Sequence, residues 1–80
     1  MTIGMAVKIR IIGLCKKHNI TVNKLGTISG VNQSTLNNIT SGRNNSTTIS
    51  TIQKLCDGLE ISIVEFFTDS IFDDLEQEVK

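Results

Sequence analysis

The 80-residue chain contains no proline, tryptophan or tyrosine, and only three phenylalanines. Proline is the residue that most strongly breaks helices from within, and the apolar residues recur at helical spacing. We therefore predict an all-α protein with one domain and a thin core. With so few aromatic rings, the chain lacks a platform on which the bases of single-stranded nucleic acid could stack.

Cysteine is also scarce, since Cys15 and Cys56 are the only two and lie far apart in sequence. This excludes a disulfide framework and favours a reducing compartment, so we expect a cytoplasmic protein. The apolar N-terminal stretch is interrupted by Lys8 and Arg10 and is too short to span a bilayer. We expect no association with membranes.

Catalytic signatures are missing as well. The sequence shows neither a nucleophile with a matching base nor a glycine-rich phosphate loop, so we expect no enzyme activity and no cofactor. Cys15 and His18, three residues apart, could share a metal ligand, but no further donors complete a set. For the two cysteines, buried unreactive thiols are the commoner case, with a redox sensor as the alternative. For a chain of 80 residues we expect neither a separate ligand-sensing domain nor a small-molecule ligand.

Acidic residues are absent before Asp57, whereas seven of the eight basic residues lie within the first 54 positions. The formal net charge is zero, but the two signs are separated along the chain. Such a basic part is suited to contact with phosphate groups, and the acidic part follows it.

The centre of the basic part predicts two short helices that meet at a glycine turn. Gly26 would let the helices approach closely, and Gly30 can adopt the left-handed conformation that ends the first of them. Thr21 and Asn32 are suited to cap the two helices, the second of which we predict over residues 33–41. The inward positions of this helix-turn-helix are predicted to be Leu25, Ile28, Val31, Leu36 and Ile39.

The remaining positions of the second helix carry amides and hydroxyls without any charge: Asn32, Gln33, Ser34, Asn37, Asn38 and Ser41. A solvated helix surface is the simplest interpretation of such a face. The alternative, which the helix-turn-helix pattern favours, is that these groups bond to base edges in the major groove of DNA.

Residues 21–41 resemble the helix-turn-helix of the Cro and phage-repressor (lambda-repressor-like) family, and the similarity extends over residues 8–20 and 48–67 and the pair Gly42-Arg43. The resemblance implies a compact five-helix bundle that binds double-stranded DNA as a transcriptional repressor. It also implies a homodimer on a near-palindromic operator. The chain departs from the family at Val22, where many relatives have a phosphate-binding Gln, and at Glu60, where they commonly have Gly. It also has Cys15 and Thr40 where relatives often pair Arg with Glu.

The resemblance also indicates which residues would contact DNA. Gln33 is the first candidate for reading a base, since a Gln amide can bond bidentately to adenine. The expected base-reading residues are Gln33, Ser34, Thr35, Asn37 and Asn38. The expected phosphate-binding residues are Thr21, Asn23, Lys24, Asn32, Arg43 and Asn44.

The first and fourth helices carry their own apolar stripes. We predict the first helix over residues 5–18, with Val7, Ile11, Leu14 and Cys15 facing inward. The fourth follows a cap at Thr47 or Thr48, and its predicted stripe is Ile49, Ile52, Leu55, Cys56 and Leu59. Gly58 within it requires either close packing or an early end to the helix.

We divide the chain into a helix-turn-helix domain (residues 1–68) and a short amphipathic C-terminal helix (residues 69–80). That helix would dock through Ile71, Phe72, Leu75 and Val79, on Met5, Ile9 and Ile12 of the first helix or at a dimer interface. The acidic C-terminal part also allows an alternative function, in which the same fold serves as an antitoxin-like or other protein-interaction module.

Overall fold

The structure is a computed structural model that describes residues 1–41 and 47–77. Its helices are α1 (Ile3–Lys17), α2 (Val22–Ser29), α3 (Gln33–Thr40), α4 (Ile49–Leu59) and α5 (Ile63–Phe66), followed by a 3-10 helix (Ser70–Phe72). No strand occurs in these two ranges, and the predicted five-helix, all-α bundle is confirmed. None of the helices found there is long and apolar enough to cross a membrane.

Each α-helix begins at a side-chain oxygen that accepts a main-chain N–H of the first turn. Thr21 Oγ1 accepts from Lys24 N at 3.0 Å, and Asn32 Oδ1 accepts from Thr35 N at 2.8 Å. Thr48 caps α4 in the same way, which decides between the two predicted caps of that helix. Such caps are worth about 1 kcal/mol each, so the starts of these helices depend on single side chains.

The core lies where α1, α2, α3 and α4 meet, with α2 packed on α4 and α1 on α3. The predicted stripe of α1 is buried, as are Leu25 of α2 and the Ile52, Leu55, Cys56 and Leu59 positions of α4. Phe66 of α5 is completely buried and forms an aromatic cluster with Phe67 and Phe72, whose ring centroids are 4.9 and 6.1 Å from its own.

Two of the predicted core residues are exposed. Ile28 retains 41% of its accessible surface and Ile49 retains 67%. The residue of α2 that lies against Gly58 of α4 is Ser29, not Ile28. The buried side of α2 is therefore rotated relative to the prediction. Ile49 is the first residue of α4, and the buried side of that helix begins one turn later, at Ile52.

Gly58 marks the point of closest approach between α4 and α2. A Cβ atom at this position would lie 2.9 Å from the Cα atom of Ser29. The helix continues to Leu59, so close packing, and not an early end, explains the glycine. Glu60 then ends α4 with a φ of 60° in the left-handed region that glycine would adopt more easily.

The predicted C-terminal helix is wrong in the part of the chain that the structure describes. Only Ser70–Phe72 forms a 3-10 helix, and residues 73–77 are not helical; residues 78–80, including Val79, lie outside the described residues. The segment is held instead by the chain start, because Glu76 N donates to Met1 O at 2.9 Å and the Glu76 carboxylate lies 3.7 Å from the Met1 amino group. The division of the chain at residue 68 stays a prediction.

The described C-terminal segment therefore packs within the chain, near α1, but of the expected surface only Ile12 is half-buried. Met5 and Ile9 retain 40% and 42% of their accessible surface. Within the described residues, the single 3-10 turn leaves these two side chains of α1 exposed.

Candidate nucleic-acid interface

The helix-turn-helix is formed by α2, a three-residue turn and α3. Gly30 ends α2 with a φ of 73°, which places it in the left-handed conformation that redirects the chain. Val31 in the turn is buried, and Leu36 and Ile39 hold α3 against the core. These contacts confirm the predicted arrangement of the two helices and leave the opposite side of α3 outward.

The outward side of α3 carries the predicted base-reading residues. Ser34, Asn37 and Asn38 are exposed, whereas Gln33 and Thr35 are half-buried. The Ser41 hydroxyl, at the end of the helix, donates to Asn38 O at 3.3 Å. The face thus presents amides and hydroxyls without charge, a set that can both donate and accept hydrogen bonds.

Gln33 is the exception in being tied to α2. Its Nε2 donates to the main-chain oxygen of Asn23 at 3.1 Å. The side chain crosses the position of Gly26, where a Cβ atom would overlap the same nitrogen. The first residue of the α3 face is therefore positioned by α2 as well as by its own helix.

The predicted phosphate-binding residues cluster at the starts of α2 and α3. Asn23 and Lys24 are exposed in the first turn of α2. Thr21 and Asn32 use their oxygens as caps, which leaves the Asn32 amide nitrogen as the donor suited to a phosphate. Helix N-termini also favour anions through their main-chain N–H groups. Arg43 and Asn44 lie outside the described residues.

Arg10 is a basic residue whose role the sequence analysis missed. Its Nε and Nη2 donate to the main-chain oxygens of Phe66 and Glu65, both at 2.8 Å, and its Nη1 lies 3.3 Å from Asp69 Oδ2. This guanidinium is therefore engaged in fastening α5 to α1. Within the sequence, only the separation of positive and negative charge hinted at such a pair.

The two cysteines lie in the core and do not contribute to the outward face. Burial raises the pKa of the Cys15 thiol, and burial together with the negative charge of Asp57 raises that of Cys56. Both thiols are thereby kept protonated and poorly nucleophilic. Among residues 1–41 and 47–77, no three His, Cys, Asp or Glu side chains come close enough together to hold a metal ion.

Comparison with known proteins agrees with this geometry. Residues 10–70 match the family model of the Cro/C1-type HTH DNA-binding domain. The crystal structure of the prophage Lp1 protein 11 is similar, with a TM-score of 0.82 and 36% sequence identity, over 94% of this chain and 99% of that one. A comparison with curated protein sequences gives no match.

The matched residues include the entire α2–turn–α3 unit, its outward polar face and α4, on which α2 packs. A family whose members bind DNA accounts for an uncharged, hydrogen-bonding helix face flanked by basic residues better than a merely solvated surface does. The chain belongs to the Cro/C1-type helix-turn-helix family and is a DNA-binding regulator.

Proposed function

We propose that the protein is a sequence-specific transcriptional repressor that reads the major groove of double-stranded DNA with α3. The observation that carries this proposal is the outward face of α3, which combines exposed amides and hydroxyls with a buried opposite side. A helix that only needed to be soluble would more commonly carry charges there.

The dimensions of α3 support insertion into the groove. An α-helix with its side chains is about 10–12 Å in diameter, and the major groove, about 12 Å wide, admits one α-helix. Gln33 is proposed to pair with adenine. Ser34, Thr35, Asn37 and Asn38 supply the remaining contacts to base edges, Thr35 being suited to a thymine methyl group as well.

Phosphate groups would be bound on either side of this helix. Lys24 and Asn23 project from the start of α2, and Thr21 and Asn32 flank main-chain N–H groups at two helix N-termini. Arg43 and Asn44 follow α3 in sequence and are proposed for the same role. Because few cations flank the motif, we expect a modest salt dependence, about 0.9 log unit per phosphate neutralised.

Dimerisation would supply the selectivity that a single recognition helix lacks. Two copies related by a two-fold axis would present their α3 helices about 34 Å apart to a near-palindromic operator. Occupying such a site is sufficient to exclude other proteins from it, whereas activation requires further contacts. Repression is therefore the simpler regulatory role for this domain.

The test begins with selection of binding sites from a random duplex pool. Gln33→Ala should then relax the base preference at one position of each half-site, whereas Lys24→Ala and Arg43→Ala should weaken all sequences alike. Gln77→Ala, which removes an exposed amide from the acidic end of the chain, is the matched control and should change neither property. If Gln33→Ala leaves the preference intact at every position, base reading by α3 is wrong.

A protein-interaction module on the same fold is the second candidate. It is favoured by the exposed Met5 and Ile9 side chains, which form an apolar strip on α1. Gel-shift titrations of random duplexes at two salt concentrations separate the candidates, because binding to phosphates weakens as salt rises. Absent or salt-insensitive binding would favour the interaction module.

A further inference from the structure

The amide of Gln33 lies in a seat formed by two residues of α2. The Asn23 main-chain oxygen accepts its Nε2 at 3.1 Å, and Gly26 supplies the space that the amide occupies. We propose that this seat fixes the orientation in which Gln33 meets a base, which makes Gly26 a positioning residue for adenine recognition. This inference rests on the proposed reading of the major groove by α3.

The chemistry of the seat determines which end of the amide faces it. A main-chain carbonyl can only accept, so the nitrogen of Gln33, and not its oxygen, must point to Asn23. A carboxamide nitrogen carries two N–H groups, and bidentate recognition of adenine requires that the seat take the one that points away from Oε1. The other N–H and Oε1 then form the adjacent donor and acceptor that match N7 and N6 of adenine.

Gly26 determines whether the seat can exist. A Cβ atom there would overlap Gln33 Nε2 and would lie 3.0 Å from both Leu36 Cδ1 and Val31 O. The Gln33 amide is the part most easily displaced, because it is the end of a flexible side chain on a half-exposed residue. An alanine would therefore free the Gln33 side chain, which would have to be ordered again on binding DNA.

The first experiment compares two glycines that both lie in tight packing. Gly26→Ala should lower the preference for adenine at the position that Gln33 reads by about fivefold, the lower end of what a bidentate pair provides. Gly58→Ala is the matched control, because its Cβ would press on Ser29 without reaching Gln33. It should lower stability and leave the preference unchanged.

Combining the substitutions separates positioning from general damage. In a Gln33→Ala background, Gly26→Ala should have no further effect on base preference, because the side chain that it repositions is absent. An equal loss of preference in the presence and absence of Gln33 would overturn the positioning role. A second result would also overturn it: the Gln33→Ala protein loses the base preference, but a folded Gly26→Ala protein keeps it unchanged.

The second measurement uses the free wild-type protein and does not depend on how Gly26→Ala folds. In NMR spectra, one of the two Gln33 side-chain N–H protons should exchange with water several-fold more slowly than those of Gln77, whose side chain is exposed. Equal exchange of both amides would overturn the seat whatever the DNA results. A protected Gln33 amide without any base preference in wild-type protein would instead refute the proposed base reading, and the positioning role with it.

Discussion

Removal of the Arg10 side chain is expected to destabilise the fold far more than removal of any other basic side chain in the described residues. Arg10 keeps only 15% of its side-chain surface and donates to the carbonyls of Glu65 and Phe66 at 2.8 Å. These carbonyls belong to the end of α5, where the helix itself provides few partners. The substitution would leave both without their charged donor.

The expected magnitude follows from these contacts. Each charge-assisted hydrogen bond contributes about 1.5 kcal/mol at the lower end of the usual range, which applies because water can partly replace the donor. The ion pair with Asp69, whose side chain is 39% exposed, adds about 0.5 kcal/mol. Arg10→Ala should therefore lower the free energy of unfolding by about 3.5 kcal/mol, which for a domain of this size lowers the melting temperature by about 14–28 °C.

Urea unfolding followed by circular dichroism measures this loss, with two variants as controls. Asp69→Asn keeps an oxygen that can cap the 3-10 helix and removes only the charge, so it should cost less than 1 kcal/mol. Lys16→Ala removes an exposed cation at the end of α1 and should change stability by less than about 0.5 kcal/mol. The reasoning is refuted if Arg10→Ala is no less stable than Lys16→Ala.

Three further predictions concern the ends of the helices and the core. Glu60→Gly should raise the free energy of unfolding by about 0.5–1 kcal/mol, because glycine adopts the left-handed conformation more easily; a lower urea midpoint would contradict this. Asn32→Ala should lower it by about 1 kcal/mol through loss of the α3 cap, and Asn32→Ser should restore most of it in the same assay. Burial raises the pKa of Cys15 and Cys56, so the folded chain retains these protons at a pH where the unfolded chain has lost them. The free energy of unfolding should therefore be constant with respect to these two groups below about pH 8.5 and fall above it. If a Cys15→Ala, Cys56→Ala double variant shows the same fall, the thiols are not its cause.

The starts of α2 and α3 could be predicted from the sequence because a cap involves residues only three apart. The start of α1 was predicted two residues late, since the helix begins at Ile3, and that of α4 was predicted only as following Thr47 or Thr48. Thr21, Asn32 and Thr48 each accept an N–H from within the next turn, and no distant residue is needed to decide this. The same holds for Gly30, whose left-handed conformation follows from the need to end one helix and begin another. Local chemistry sufficed for these features.

Predictions failed where a distant partner decides the outcome. Ile28 and Ile49 have helical spacing to buried neighbours, yet they lie outside the contact of α2 with α4. The last helix was predicted from apolar residues on one side and acidic residues on the other, but a short helix depends on docking for its stability. Here that segment is attached through its main chain and Glu76 to the first residue, and only a 3-10 turn forms.

The candidate site divides in the same way. The polar composition of α3 could be seen in the sequence, as could the need for Gly26 between two helices. The bond from Gln33 to Asn23, ten residues away, could not, because it exists only when α3 crosses α2. The sequence likewise does not distinguish Arg10 from the other cations, because its hydrogen-bond partners on α5 lie more than fifty positions later.

The amino-acid sequence by itself determined where α2 and α3 begin, that these two helices meet at a glycine turn, and that uncharged hydrogen-bonding groups occupy one side of α3. These properties arise from interactions within a few residues and from helical periodicity. Tertiary structure alone decided that Ile28 and Ile49 remain exposed, which cation is withdrawn from the surface, and how Gln33 is held. Each of those outcomes depends on the packing of helices that are distant along the chain, which no local pattern specifies.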